Sequence, residues 1–166
     1  MREGANPRVE NITHTLSPAG DRLWWMAALL AVAGILVAIN MLHATLRGVQ
    51  PICLAGDCSR VAASPTSRLF GLPLSVWGLA MFLALAGFAI SGARRPAARR
   101  TRALALFAVS VFGLGFIGYI VWYQASILGA VCASCTTSLA LLVALTVISG
   151  IVARRAPHGV APASLR

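Results

Sequence analysis

The chain contains no lysine and only four acidic residues among its 166 residues, and charged side chains make up 11% of it. An average soluble domain carries about 25% charged residues. This shortage of charge argues against an ordinary soluble protein. A hydrophobic content of 58% and a mean hydropathy of +0.82 instead indicate a membrane protein.

Long apolar runs fill most of the chain. Charged and turn residues divide them into four candidate spans, at 23–42, 72–91, 103–123 and 131–152. Each is close to the roughly 20 residues that a helix needs to cross a hydrocarbon core of about 30 Å. The sequence "VAINMLHATL" is a poor signal-peptide cleavage site, so we keep the first run as a span. We predict an all-α membrane protein with its spans at 23–152 and tails at 1–22 and 153–166.

The 14 basic residues are all arginines, and their positions give an orientation. The stretch "SGARRPAARRTR" fills the short connection between the second and third spans, and Arg154 and Arg155 follow the fourth span. By the positive-inside rule, that connection and both termini face the cytoplasm. The charge therefore predicts topology rather than nucleic-acid binding, although an anionic-lipid or partner site remains an alternative.

Cysteine is absent from the predicted cytoplasmic segments and from the middle of every span. Cys53 and Cys58 lie in the predicted outer loop at 43–71. Cys132 and Cys135 lie at the outer end of the fourth span, after a short turn at 124–130. All four cysteines are thus expected on the extracytoplasmic side, which indicates an oxidising compartment and disulfide chemistry.

Aromatic and glycine residues add two smaller expectations. Trp24, Trp25, Trp122 and Tyr123 fall at predicted span ends, where aromatic belts anchor membrane proteins at the interface. The stretch "FGLGFIG" at 112–118 places three glycines in the third span, which predicts close approach of a neighbouring helix.

The sequence "CASC" at 132–135 opens the fourth span. Cysteines three apart on a helix share one face and can close a disulfide across its first turn. The unpaired N–H groups at a helix N-terminus stabilise a thiolate. The hydroxyls that follow, Thr136, Thr137 and Ser138, can bond a thiolate or a carbonyl ligand, or bond back to a backbone carbonyl four residues earlier.

Cys53 and Cys58, in "PICLAGDCSR", enclose a glycine-containing turn of four residues. This spacing suits a shuttle disulfide that meets a soluble protein on one side and the CxxC pair on the other. Three alternatives remain: two static disulfide staples, a four-cysteine zinc site, or more generally a non-enzymatic metal-handling membrane protein.

Three sequence features together resemble the vitamin K epoxide reductase family, in its bacterial form without a fused thioredoxin domain. "CSRVAAS" at 58–64, followed by "FGLPLSVWG" at 70–78, is similar to the family's loop cysteine and the start of its second span. "CASC" with hydroxyl residues behind it opens the fourth span, as in that family. The resemblance covers residues from about 23 to 152. The DsbB type of quinone reductase fits less well, because it carries its CxxC in the first outer loop.

This resemblance implies a fold and an electron path. The fold is a four-transmembrane-helix bundle around a quinone, covered from outside by a short half-helix after Cys58. A DsbA-like thioredoxin-fold partner passes electrons to Cys53 and Cys58, Cys58 exchanges with Cys132, and Cys135 donates to the quinone. The implied protein needs no metal, resides in the bacterial inner membrane and supports disulfide bond formation.

The implied quinone pocket includes Val61, Ser64, Trp77 and Leu139. The animal enzymes have a tyrosine at the position of Leu139, four residues after the CxxC, which bonds the quinone carbonyl. Leucine at this position favours a simple quinone, ubiquinone or menaquinone, over vitamin K epoxide.

Overall fold

The computed structural model describes residues 18–49, 61, 67–95 and 98–155. Over these residues the chain forms helices α1 (Pro18–Arg47), α2 (Leu74–Arg94), α3 (Arg99–Tyr123) and α4 (Ala133–Arg155). A π-helical segment, Gln124–Leu128, continues α3. A short antiparallel hairpin of β1 (Arg68–Leu69) and β2 (Leu72–Pro73) precedes α2. Each of the four helices in the described part is long and apolar enough to cross a membrane, which confirms the prediction of an all-α, four-span protein.

The helices pack into a closed bundle. α1 lies against α2 and α4, and α3 lies against α4 and α2. Large side chains fill the space between them, and those that are fully buried include Trp24, Phe82, Leu85, Leu106, Leu142 and Leu145. The outer faces are also apolar: Leu29, Leu36 and Phe112 are all more than 60% exposed. Apolar side chains on both faces are typical of a helix that is surrounded by lipid.

Glycines allow two large rings to enter the contact between α1 and α2. Gly34 of α1 lies beside the ring of Phe82, and Gly92 of α2 lies beside the indole of Trp24. These two contacts also show that α1 and α2 run in opposite directions. Trp24 is only 2% exposed, so its predicted interfacial position is wrong, whereas Trp25 is 50% exposed.

The glycines of α3 behave differently from one another. A side chain at Gly113 would collide with Met81 of α2, so this position gives the predicted close approach. Among the described residues, nothing lies within 4 Å of the Cβ position at Gly115 or Gly118. Only the first glycine of "FGLGFIG" therefore serves helix packing within the described bundle.

One end of the bundle carries most of the arginines and a network that joins three helices. Arg99, at the start of α3, forms an ion pair with Asp21 near the start of α1. Its guanidinium also donates to the carbonyl of Gly92 at 3.2 Å, and Arg102 donates to the carbonyl of Ser91 at 2.6 Å. These arginines add donors to carbonyls in the last turn of α2, where the Ser91 carbonyl also accepts the backbone N–H of Arg95 at 3.1 Å. The α3–α4 connection with the CxxC lies at the opposite end.

Candidate functional site

The CxxC pair straddles the start of α4. Cys132 immediately precedes the first helical residue, Ala133, and Cys135 lies in the first turn. The N–H of Thr136 donates to the carbonyl of Cys132 at 3.1 Å, which is the first hydrogen bond of the helix. Cys132 is 0% exposed, whereas Cys135 is half-buried. The two sulfurs therefore have different surroundings although they are three residues apart.

Val61 lies against the buried cysteine. It is helical and 7% exposed, and it forms a small apolar cluster with Ala130 and Cys132. Met41 of α1 and Cys135 pack against the same cluster. The predicted site residues Cys53, Cys58 and Ser64 lie outside the described residues, as does the predicted half-helix apart from Val61.

Gln124 is the polar neighbour of both described cysteines. Its side-chain Nε2 donates to Cys135 Sγ at 3.4 Å, and its Oε1 accepts from the backbone N–H of Cys132 at 3.4 Å. The residue is 2% exposed. A buried carboxamide must be hydrogen-bonded to be tolerated, and here the CxxC supplies partners at both ends. Gln124 is not among the site residues predicted from the sequence; the available signal was one amide side chain between an apolar span and the CxxC.

The π-helical segment explains how Gln124 reaches this position. The sequence predicts a turn at 124–130, but the chain stays helical through Leu128 and turns at Gly129, which has a left-handed φ of 59°. The backbone carbonyl of Gln124 accepts the N–H of Ala130 at 3.3 Å. Because π-helical turns reorient side chains and occur often at functional sites, this segment is consistent with a site at its start.

Electrostatics favour an anionic sulfur at Cys132, which precedes α4. A hydrogen bond from the Cys135 side chain lowers the pKa of the Cys132 thiol from 9.0 to about 6, against the opposing effect of burial. The backbone N–H groups of Cys135 and Ser134 and the Ser134 hydroxyl act in the same direction as the Cys135 side chain. These amides belong to the exposed N–H groups of a helix start, the arrangement expected to stabilise a thiolate.

A cavity of about 510 Å³ opens beside Cys135. It takes wall residues from every helix of the described bundle, among them Ala38, Met81, Phe116 and Cys135, and most of its lining is apolar. Its size lies in the range of about 300–1,000 Å³ that is usual for small-molecule sites. One lining hydroxyl, Ser75 Oγ, is buried and has no hydrogen-bond partner within the described part of the chain. The cavity thus combines apolar walls with a few polar groups.

The residues predicted for a quinone pocket divide into those that line this cavity and those that do not. Val61 and Trp77 line it. Leu139 is half-buried and is not among the described lining residues; Ser138, on the same helix face as Cys135, lines the cavity instead. The hydroxyl of Thr136 bonds back to the Cys132 carbonyl at 3.2 Å, the local alternative considered for these hydroxyls.

The hairpin before α2 supplies a further part of the cavity wall. Phe70, at its tip, has a left-handed φ of 53°, which is unusual for a bulky side chain. Its ring meets Trp77 edge-on with centroids 6.3 Å apart, and the indole N–H of Trp77 donates to the Leu69 carbonyl at 3.4 Å. These contacts connect the "FG" turn to α2 and hold Trp77 at the cavity.

An apolar helical bundle with a CxxC at its mouth and a small-molecule cavity beside it defines a class of membrane thiol–disulfide oxidoreductases. The family model for the vitamin K epoxide reductase family matches residues 24–149. The chain therefore belongs to this family, as its motifs suggested, and is an integral membrane protein. Members of the family are oxidoreductases that generally use quinones. No curated protein matches the chain.

Proposed function

We propose that this protein oxidises a DsbA-like thioredoxin-fold partner and passes the electrons through two cysteine pairs to a membrane quinone, thereby supporting disulfide bond formation. In the net reaction the partner dithiol becomes a disulfide and the quinone becomes a quinol. Two electrons and two protons are transferred. Each intermediate step is a thiol–disulfide exchange until Cys132 and Cys135 form a disulfide and reduce the quinone.

The observation that carries this proposal is the different access to the two sulfurs. Cys135 lines an apolar cavity of about 510 Å³, whereas Cys132 is fully buried and clusters with Val61. An apolar cavity with a few polar groups suits a quinone ring from the lipid. The Ser75 hydroxyl, which has no hydrogen-bond partner among the described residues, is the kind of donor that a quinone carbonyl requires. These features favour Cys135 as the donor to the quinone.

The position of Val61 supports exchange between Cys58 and Cys132. Cys58 is three residues before Val61 in the chain, so their Cα atoms are within about 11 Å of each other. Val61 itself clusters with Cys132. The short chain separation between Cys58 and Val61 is compatible with exchange between Cys58 and Cys132. The lowered pKa of Cys132, about 6, favours the thiolate needed for exchange near neutral pH.

The distribution of arginines supports an outward-facing site. Arg94, Arg95, Arg99, Arg100 and Arg102 flank the α2–α3 connection, at the end of the bundle opposite the CxxC. With that end in the cytoplasm, the cysteines face the oxidising side of a bacterial inner membrane. This orientation is tested by placing a single cysteine at Arg100 or at Val131 in a cysteine-free protein. A membrane-impermeant maleimide should label only Val131→Cys in intact cells.

The reaction is tested with purified protein, a reduced thioredoxin-fold partner and a quinone under anaerobic conditions. Quinone reduction is followed by absorbance, and Cys135→Ala should abolish it. Cys53→Ala should block transfer from the protein partner while a small dithiol still supports part of the activity. Quinone reduction that survives in Cys135→Ala would refute the proposed path.

Two further arms of the same assay address the acceptor and the main alternative. Ubiquinone, menaquinone and vitamin K epoxide are offered in turn, with the expectation that a simple quinone is reduced fastest. A metal-handling protein would instead bind zinc or copper through its reduced cysteines and consume no quinone. Metal analysis of the same reduced sample therefore separates the two functions.

A further inference from the structure

The side chain of Gln124 is held in one orientation by the CxxC itself. Its Oε1 accepts the backbone N–H of Cys132, so its Nε2 must face the other partner, Cys135 Sγ. Reversing the amide would bring its oxygen to the sulfur and its N–H₂ to a backbone donor. Because the residue is 2% exposed, water cannot compensate for such a reversal.

The backbone of Gln124 fixes the same geometry. Its carbonyl accepts the N–H of Ala130, two residues before Cys132. The residue is therefore attached to the connection before α4 through its main chain and to the CxxC through its side chain. Gln124 also lines the cavity into which Cys135 opens. One buried amide thus touches a reacting sulfur at the place where a ligand would meet it.

We propose that Gln124 is a catalytic residue that stabilises the negatively charged sulfur of Cys135 through its Nε2–H donor. The inference rests on the proposed function. When Cys132 forms a disulfide with a loop cysteine, the sulfur of Cys135 is left without its CxxC neighbour as a hydrogen-bond partner. In that exchange the Cys58 thiolate bonds to Cys132 and the Cys132–Cys135 bond breaks, so Cys135 leaves as the anionic sulfur.

Attack of Cys53 on Cys58 then forms the loop disulfide and releases Cys132, so both CxxC sulfurs are reduced and Cys135 can donate to the quinone. The two CxxC sulfurs form a disulfide, and their two electrons, with two protons, convert the quinone to a quinol. A neutral amide suits this task, because it favours an anionic sulfur without itself changing charge with pH. A carboxylate at the same position would repel the anion.

The first test measures single-turnover quinone reduction by pre-reduced protein. Gln124→Leu should lower the rate constant about 10- to 100-fold, the effect of losing one hydrogen bond to a charged group. The KM for quinone should stay unchanged. The matched control is Thr146→Val, which removes from α4 a hydroxyl that bonds back to the Leu142 carbonyl at 2.7 Å, away from the CxxC, and should keep the wild-type rate. A raised KM with an unchanged rate constant would overturn the proposal.

The second test uses Gln124→Glu, which has the same shape as the native side chain. Its ionised form offers Cys135 only an acceptor, so at neutral pH it should be slower than Gln124→Leu. Its protonated form regains a donor, so its rate relative to wild type should rise as the pH falls. A purely structural role would not produce this pH dependence, and a ratio that is independent of pH would refute the catalytic role.

A third measurement does not require a quinone. In a protein with Cys135 as its single cysteine, made with Cys53→Ser, Cys58→Ser and Cys132→Ser, alkylation by N-ethylmaleimide reports the anionic sulfur. Gln124→Leu should slow this alkylation about 10-fold or more at neutral pH. Equal alkylation rates would overturn the inference. If alkylation slows but wild-type protein reduces no quinone, the proposed function fails and the role of Gln124 at the sulfur stands.

Discussion

Replacement of Cys135 by alanine should move the titration of Cys132 to higher pH. The hydrogen bond from the Cys135 side chain is the largest cause of the lowered Cys132 pKa, and burial acts in the opposite direction. Without that hydrogen bond, the Ser134 hydroxyl and the backbone N–H groups of residues 134 and 135 would still favour the thiolate, but less strongly. The sulfur remains fully buried, so desolvation is not relieved.

The size of the effect follows from the two pKa values. A thiol with a pKa of about 6 is about 90% ionised at pH 7, whereas one at 9.0 is about 1% ionised. The thiolate form should therefore be present below neutral pH in the protein that retains Cys135, and should be lost as the pH falls through about 6. In Cys135→Ala the same transition should occur at clearly higher pH.

The ultraviolet absorbance of the thiolate measures this transition without requiring access to the sulfur. The protein carries Cys53→Ser and Cys58→Ser, so that no loop cysteine can form a disulfide with Cys132, and it is titrated anaerobically in detergent. Cys135→Ser, which keeps a hydroxyl donor, should give an intermediate midpoint. A midpoint above about pH 8 with Cys135 present, or one that Cys135→Ala does not move, would refute the reasoning.

Three further substitutions test the packing and the site. Gly92→Ala should destabilise the bundle by about 1–3 kcal/mol in a thermal or denaturant assay, because its Cβ would collide with the buried Trp24 indole. Gly87→Ala should be tolerated, because nothing among the described residues lies within 4 Å of its Cβ position. Ser138→Phe should raise the KM for quinone more than Leu139→Phe, because Ser138 lines the cavity and Leu139 is not among its described lining residues. Equal effects on the KM would contradict the placement of quinone in this cavity. Val61→Ala should speed alkylation of Cys132 by uncovering it, while Val131→Ala, at a residue 45% exposed, should not; the reverse order would show that Val61 does not shield the sulfur.

The helices were predictable because lipid imposes length and composition on them. Apolar runs bounded by charged residues predicted all four helices of the described bundle. The observed helices differ from the predicted spans mainly in being longer at one or both ends. α1 continues to Arg47 and is followed by Gly48 with a left-handed φ of 65°, a usual helix terminator. α3 begins at Arg99 because its arginines find partners at the end of α2 and in Asp21. Such partners are distant in sequence, so hydropathy does not reveal them.

The parts of the site that sequence analysis missed depend on tertiary contacts. Gln124 follows an aromatic pair at a predicted span end, which favoured a turn, and its partner Cys135 lies 11 residues further along. No helical or strand periodicity connects the two. Trp24 was misassigned for a related reason: an interfacial tryptophan and a buried one look alike until the slot beside Gly92 is known. The cysteines could be predicted as site residues because their chemistry and spacing are visible locally.

The different surroundings of the two sulfurs favour one assignment of roles over its reverse. The sulfur that exchanges with other thiols must ionise easily, and Cys132 has helix-start amides and a neighbouring thiol to stabilise its charge. The sulfur that meets a quinone must open to an apolar space, and only Cys135 of the two described cysteines lines the cavity. Exchanged roles would require the quinone to reach Cys132 beneath Val61. With the roles exchanged, the thiolate that exchanges with other thiols would be Cys135. That thiolate would lie against the apolar walls of the cavity, where the loss of hydration disfavours charge. In the proposed direction Cys135 carries charge when it leaves the CxxC disulfide and when it donates to the quinone, and the Gln124 amide donates a hydrogen bond to its sulfur.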